Sequence, residues 1–120
     1  MLQTTGTAYL SRTRPVVDTA PDGAWRLTLL LLDRQGTHET EAWRVQWKGD
    51  AARAWHAAHQ HLLEPGAVLR VQLERARSYL GQANVPEIRA RVISIEIDTK
   101  RSPDKRSQLS NQEQSASVAA

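Results

Sequence analysis

From Trp43 to Lys48 the chain alternates strictly: Trp43, Val45 and Trp47 are apolar, and Arg44, Gln46 and Lys48 between and after them are polar. A two-residue period belongs to a half-buried strand, predicted here over 39–48. The same period recurs in 67–80, with Leu69, Val71 and Leu73 facing inward, and again in 87–97. In the last segment the inward set changes from Ile88, Ala90 and Val92 to Ile93, Ile95 and Ile97, which predicts a bulge or a strong bend. Residues 24–32, AWRLTLLLL, form a strand that is apolar on both faces at its end. Residues 4–17 mix Thr, Tyr and Val with a Gly and run to Pro15 and beyond, so this first strand is long and bent or interrupted. Helical spacing occurs between Ala51 and Leu63, where Ala51, Ala54, Trp55, Ala58 and Leu62 share a face. Asp50 is placed to accept the free amides of the first turn, and Pro65-Gly66 ends the helix. Turn-forming residues at 18–23, 33–36 and 81–84 separate the strands.

The predicted order is thus β-β-β-α-β-β. Five short alternating strands with one α-helix between strands 3 and 4 point to an all-β chain, a five-stranded OB-fold barrel. A split or open β-sheet domain is the competing architecture. Residues 99–120 carry one Leu and one Val among Ser, Gln, Lys, Arg and Ala. Such a segment buries too little apolar surface to offset its ordering entropy. The chain therefore divides into a domain over 1–98 and a disordered polar tail over 99–120.

Composition narrows the chemistry. Sixteen Lys and Arg face thirteen Asp and Glu, a net charge of +3. Residues 1–98 are nearly neutral and most of the excess lies in the tail, so a nucleic-acid surface on the domain must come from clustering. Arg greatly outnumbers Lys, which suits planar and bidentate contacts and equally suits a GC-rich genome. The absence of Cys excludes disulfides, a thiolate nucleophile and Cys-based metal sites. No apolar window approaches the roughly 18 residues that a membrane-spanning helix needs. No signal peptide is read at the N-terminus, and the cytoplasm is the expected compartment. His56 and His59 stand at i and i+3 on the predicted helix, with His61 nearby and His38 in a turn. They lack further ligands and an HExxH pattern, and read as solvated helix residues. No catalytic constellation and no phosphate-binding Gly-rich loop is present, so neither enzyme activity nor a cofactor or metal is expected.

Several strings in this order resemble the bacterial single-stranded DNA-binding protein family. Gly23-Ala24 followed by Leu27-Thr28-Leu29 looks like its second strand, and Thr40-Glu41 leading into Arg44-Val45-Gln46-Trp47 like its third. A short amphipathic helix and Glu64-Pro65-Gly66 follow, and Val71-Gln72-Leu73 with Arg75 and Arg77 looks like the fourth strand. The resemblance covers roughly residues 4–97, and the primosomal replication protein N family is a close relative by fold. It implies an OB fold, single-stranded DNA as ligand, and a homodimer or homotetramer. Two departures matter. Aligning on Gly49 sends Trp43 and Trp47 to the interior, whereas aligning on Val45-Gln46-Trp47 sends them to the ligand and buries Arg44 and Gln46, which is costly without partners. The tail also lacks the acidic tip through which the family recruits replication proteins, which puts that route in doubt.

Binding a single strand requires a basic groove and exposed aromatic faces. The candidate basic residues are Arg44 and Lys48, Arg75 and Arg77, and Arg89 and Arg91, each pair placed on one face of its strand by its even spacing. Tyr79 shares parity with Arg75 and Arg77 and is the candidate stacking residue. Trp47 is kept as a candidate because it ends its strand near the rim. Arg12 and Arg14 are a further i, i+2 pair that extends the groove. Trp25 and Trp55 read as packing residues. The bland alternative is that these arginines form a solvated face beside Glu74 and Glu87. The functional reading is sequence-tolerant, non-enzymatic single-stranded DNA binding in replication, recombination or repair. The alternatives are an OB-type protein-interaction module and an RNA-binding domain of the same fold.

Overall fold

The computed structural model describes residues 2–34, 40–81 and 84–101. Among the described residues six strands, one α-helix and a 3-10 turn follow one another: β1 Gln3–Leu10, β2 Val16–Thr19, β3 Trp25–Arg34, β4 Thr40–Lys48, α1 Asp50–His59, the 3-10 turn Gln60–Leu62, β5 Val68–Leu80 and β6 Pro86–Ile97. The strands pair in the order β1-β5-β6-β4-β3-β2, and β1 also pairs with β3. That extra pairing is short, Tyr9 with Leu32 and Leu10 with Leu31. All pairs are antiparallel except β4 with β6, which the crossover through α1 and β5 brings side by side in parallel.

The alternation seen in the sequence becomes the core. Leu27, Leu29 and Leu31 of β3, Val45 of β4, and Leu69, Val71 and Leu73 of β5 are buried together with Ala90, Val92 and Ile95 of β6. Fully burying a Leu or Val side chain contributes roughly 1.5–3 kcal/mol, so this contiguous cluster is the main term holding the strands in register. Trp25, Trp43, Trp47 and Trp55 close its margins, half-buried and packed against it. Of the two alignments left open by the sequence, the structure adopts the one with Trp43 and Trp47 on the core side of β4.

The expected five-strand order is corrected in one place. The long first strand is two strands, because Ser11–Pro15 leaves the sheet before Val16–Thr19 pairs with β3. Pro15 has no amide to donate to a ladder. The helix consequently follows the fourth strand rather than lying between the third and fourth. It is also shorter than expected, ending at His59 before the 3-10 turn. Asp50 is not its cap: Gly49 holds that position, with φ +102° and no side-chain cap bond. A residue with a Cβ is strained there, so glycine makes the sharp exit from β4 into α1, and Asp50 sits in the first turn beside the positive end of the helix dipole.

The irregularity expected in the last strand is present. Gln72 pairs with Ser94 but Leu73 with Val92, which leaves Ile93 as the extra residue. A second shift follows on the other strand, where Glu74 pairs with Arg91 and Arg77 with Arg89. Arg75 lies in that bulge with φ 54°. His38, Gln35 and Gly36 of the turn over 33–36, Gln82 and Ala83 of the loop over 81–84, and the tail from residue 102 onward lie outside the described residues.

Replacing Leu29, which is almost wholly buried, by Ala is expected to lower the unfolding free energy by about 2–5 kcal/mol. A urea titration followed by tryptophan fluorescence checks this; a loss under about 1 kcal/mol, the size of a tolerated volume-conserving swap, would show that the cluster around β3 is not the principal core.

Candidate nucleic-acid interface

Residues that neighbour one another across a ladder share a face of the sheet. On the side of β4 opposite Val45, Arg44 stands beside Arg89 of β6, and Gln46 beside Arg91. Arg89 in turn stands opposite Arg77 of β5, and Glu87 opposite Tyr79. On the other flank Lys48 faces Arg26 and Arg44 faces Leu30 of β3. Buried Val45, Ala90 and Val92 alternate with these positions, so the cations point away from the core. Six of the eight candidate residues, Arg44, Lys48, Arg77, Tyr79, Arg89 and Arg91, are thus gathered on one outer face.

Arg75 and Trp47 are placed differently. The bulge between Glu74 and Arg77 breaks the even spacing that was expected to align Arg75 with Arg77, leaving Arg75 as the exposed inserted residue. Trp47 lies on the core side with its ring 5.4 Å from that of Trp55. It also lines a hollow of about 290 Å³ with Arg26, Gln46, Lys48 and Arg91. A second open hollow, about 580 Å³, is lined by Thr13, Leu30, Arg44, Val85, Glu87 and Arg89, among others. The helix histidines serve packing: His59 Nδ1 bonds the Trp55 carbonyl at 2.8 Å and its ring stacks on Trp55 at 4.8 Å.

Arg44, Arg89 and Arg77 form a row of three guanidinium groups directly across from one another, an arrangement that is unfavourable unless something compensates. Glu87 compensates two of them. Its side chain is only 8% exposed, it accepts from Arg89 Nε at 2.9 Å, and it accepts from Arg44 Nε at 3.1 Å. Burial alone would push its carboxyl up, but the hydrogen bonds from Arg89 and Arg44 outweigh that and hold it below the usual glutamate range. The Arg89 guanidinium also lies 3.6 Å from the centre of the Tyr79 ring, a cation–π contact. Gly81 closes over this group: a Cβ there would stand 3.2 Å from the Glu87 carboxylate and 3.3 Å from the Val85 carbonyl oxygen.

The flank toward β2 is neutralised in the same way. Arg26 donates to both oxygens of Asp18 at 2.8 Å, and Lys48 donates to Asp22 at 3.2 Å. The Arg26 bond lowers the Asp18 carboxyl, and the Ala24 amide together with Lys48 lowers that of Asp22. Arg75, Arg77 and Arg91 have no carboxylate partner among the described residues. The sequence reading named Glu87 only in its alternative of a solvated arginine face and did not single out Asp18, Asp22 or Arg26. The signal for Glu87 was available in its even spacing from Arg89 and Arg91. That for Asp18 and Arg26 depends on β2 pairing with β3, which the sequence left merged with β1.

No protein-family model matches this chain, and no curated protein matches its sequence. Solved structures do match its fold. The mitochondrial single-stranded DNA-binding protein Rim1 of S. cerevisiae superposes with a TM-score of 0.63 at 10% identity, over 85% of this chain and 96% of that one. A small single-stranded DNA-binding protein from Streptomyces coelicolor gives 0.57 at 17% identity, again over 85% and 96%. The dimeric N-terminal domain of PriB from Thermoanaerobacter tencongensis gives 0.54 at 13% identity, over 79% and 93%. At these identities the likeness is one of fold, and it is the fold that the resemblance in the sequence implied.

The Glu87 clamp carries a pH signature. A carboxyl held low in the folded state contributes its stability fully above its unfolded-state value and loses it as the pH falls through the lowered folded-state value. Glu87→Gln is expected to cost on the order of 1–3 kcal/mol at neutral pH. Below the ordinary glutamate range its stability should fall less steeply than that of the parent protein. Urea midpoints measured between neutral and strongly acidic pH check this, and parallel curves would show that the clamp contributes nothing.

Proposed function

We propose that this protein is an OB-type barrel that binds single-stranded DNA without sequence preference and without catalysis, acting as a homodimer or homotetramer in DNA replication, recombination or repair in the cytoplasm. The observation that carries the reading is the row Arg77-Arg89-Arg44 across β5, β6 and β4. Glu87 offsets only part of this run of like charges, and Arg77 is left without a carboxylate among the described residues; a polyanion laid across the row removes the repulsion that remains. Arg91 and Lys48 extend the row toward the hollow that Trp47 lines, and Arg75 adds charge at the bulge. Tyr79, about half exposed, offers a ring on which a base stacks, backed by Arg89. The solved structures of the same fold are described as single-stranded DNA-binding proteins in two cases, and one of the three as dimeric, which supports both the ligand and the assembly.

Binding to phosphates releases counterions, and for single strands the logarithmic salt slope changes by about 0.7 per phosphate contact. Anisotropy of a labelled oligo-dT, titrated at several salt concentrations with duplex competitor, tests the reading. Salt-sensitive binding that duplex does not displace is expected. Arg77→Ala and Arg91→Ala should each flatten the slope by about 0.7, whereas Lys48→Ala, already neutralised by Asp22, should flatten it less. Tyr79→Ala should cost about 1–3 kcal/mol of binding at every salt concentration. No binding at low salt would overturn the proposal and leave a protein-interaction module of the same fold.

A further inference from the structure

Beyond the sheet face, a hollow of about 540 Å³ lies between the 11–15 segment and α1. Its walls differ in kind. Arg12, Thr13 and Arg14 form one side, and His56, Gln60 and Glu64 line the other, helical side. The segment is anchored at its start: the Ser11 amide donates to the Leu30 carbonyl at 3.0 Å, and the Leu10 carbonyl accepts from the Gly66 amide at 2.8 Å. Beyond that anchor Arg12, Thr13 and Arg14 are exposed. Neither arginine has a carboxylate partner among the described residues, in contrast to Arg26, Arg44, Lys48 and Arg89. Thr13 also lines the 580 Å³ hollow that holds Arg44 and Arg89. The two hollows therefore share Thr13, with Arg44 and Arg89, held by Glu87, on one side of it and the unpaired Arg12 and Arg14 on the other.

We propose that a single strand crossing the β4-β6-β5 face continues over Thr13 into this second hollow, where Arg12 and Arg14 contact its phosphates. The inference rests on the binding reading above and extends it. The arrangement of charge sets the orientation of the strand. Phosphates follow the arginine wall, because Glu64 lies on the other. The base then faces the helix, where the half-buried His56 ring is held 5.5 Å from that of Trp25. Histidine is among the side chains on which unpaired bases stack.

Oligo-dT length separates the two parts of the path. Probes of about 5 and about 16 nucleotides span the range of site sizes known for single OB domains. The double variant Arg12→Ala, Arg14→Ala is compared with the parent protein on both, with thermal melting to establish that the fold is intact. The expected result is a loss of about tenfold on the long probe with a salt slope flatter by about 1.4, two phosphate contacts, and a much smaller loss on the short probe. Equal losses on both probes, or no loss on either, would overturn the continuation while leaving the sheet face as the site. If the parent protein binds neither probe, the binding reading itself falls, and this inference falls with it.

Discussion

Everything on the candidate face depends on the register of β4. Val45 is fully buried, and with Trp43 and Trp47 it commits one side of the strand to the core. A shift of one residue would turn Arg44 and Gln46 inward and the two tryptophans outward. Arg44 would then be buried without Glu87 and the Gln46 amide would be buried beside it, at a cost of several kcal/mol. Because β4 lies between β3 and β6, the same constraint reaches both neighbours. It places Lys48 opposite Arg26 on one side and Arg44 beside Arg89 on the other.

That register creates an electrostatic conflict, which carboxylates resolve unequally. Glu87 is buried and serves two arginines at once, whereas Asp18 and Asp22 are exposed and serve one cation each. Exposed pairs are worth little and are readily exchanged for another anion. Breaking the Glu87 group is more costly, because its carboxylate is left with fewer donors in a poorly solvated place. Arg44 and Arg89 are therefore held in place by Glu87, and Arg77 and Arg91 have no carboxylate partner among the described residues. The face has an ion-paired centre and an unpaired periphery.

How far the sequence revealed this follows from the kind of signal involved. Strict alternation in 43–48 and 69–73 sufficed for the ends of β4 and β5 that carry the core, because a two-residue period admits one inward set. Beyond Leu73 the alternation in the sequence is misleading: the bulge at Arg75 changes which residues share the outer face, and nothing in Glu74-Arg75-Ala76-Arg77 announces it. Pro15 marked the break in the first strand, but not the rejoining of Val16–Thr19 to β3, which depends on partners 6 to 12 positions along the chain. The arginines of the face were legible as a set. Their carboxylate partners were legible only where they shared a strand, as Glu87 does with Arg89. Asp22 reaches Lys48 across the turn at Gly23, and that distance is a property of the fold.

The shape of the proposed path bears on which nucleic acid it would admit. The sheet face and the hollow beside α1 share Thr13, on the segment between β1 and β2, so a ligand following the proposed path would turn there. Duplex DNA resists bending, with a persistence length of about 150 base pairs, and its bases present only their edges. A single strand follows such a turn at little elastic cost and exposes the faces of its bases to rings such as Tyr79 and His56. On the proposed reading, selectivity for unpaired strands would require no contact that reads a base. It would follow from setting paired and unpaired arginines on either side of a bend that a duplex cannot take.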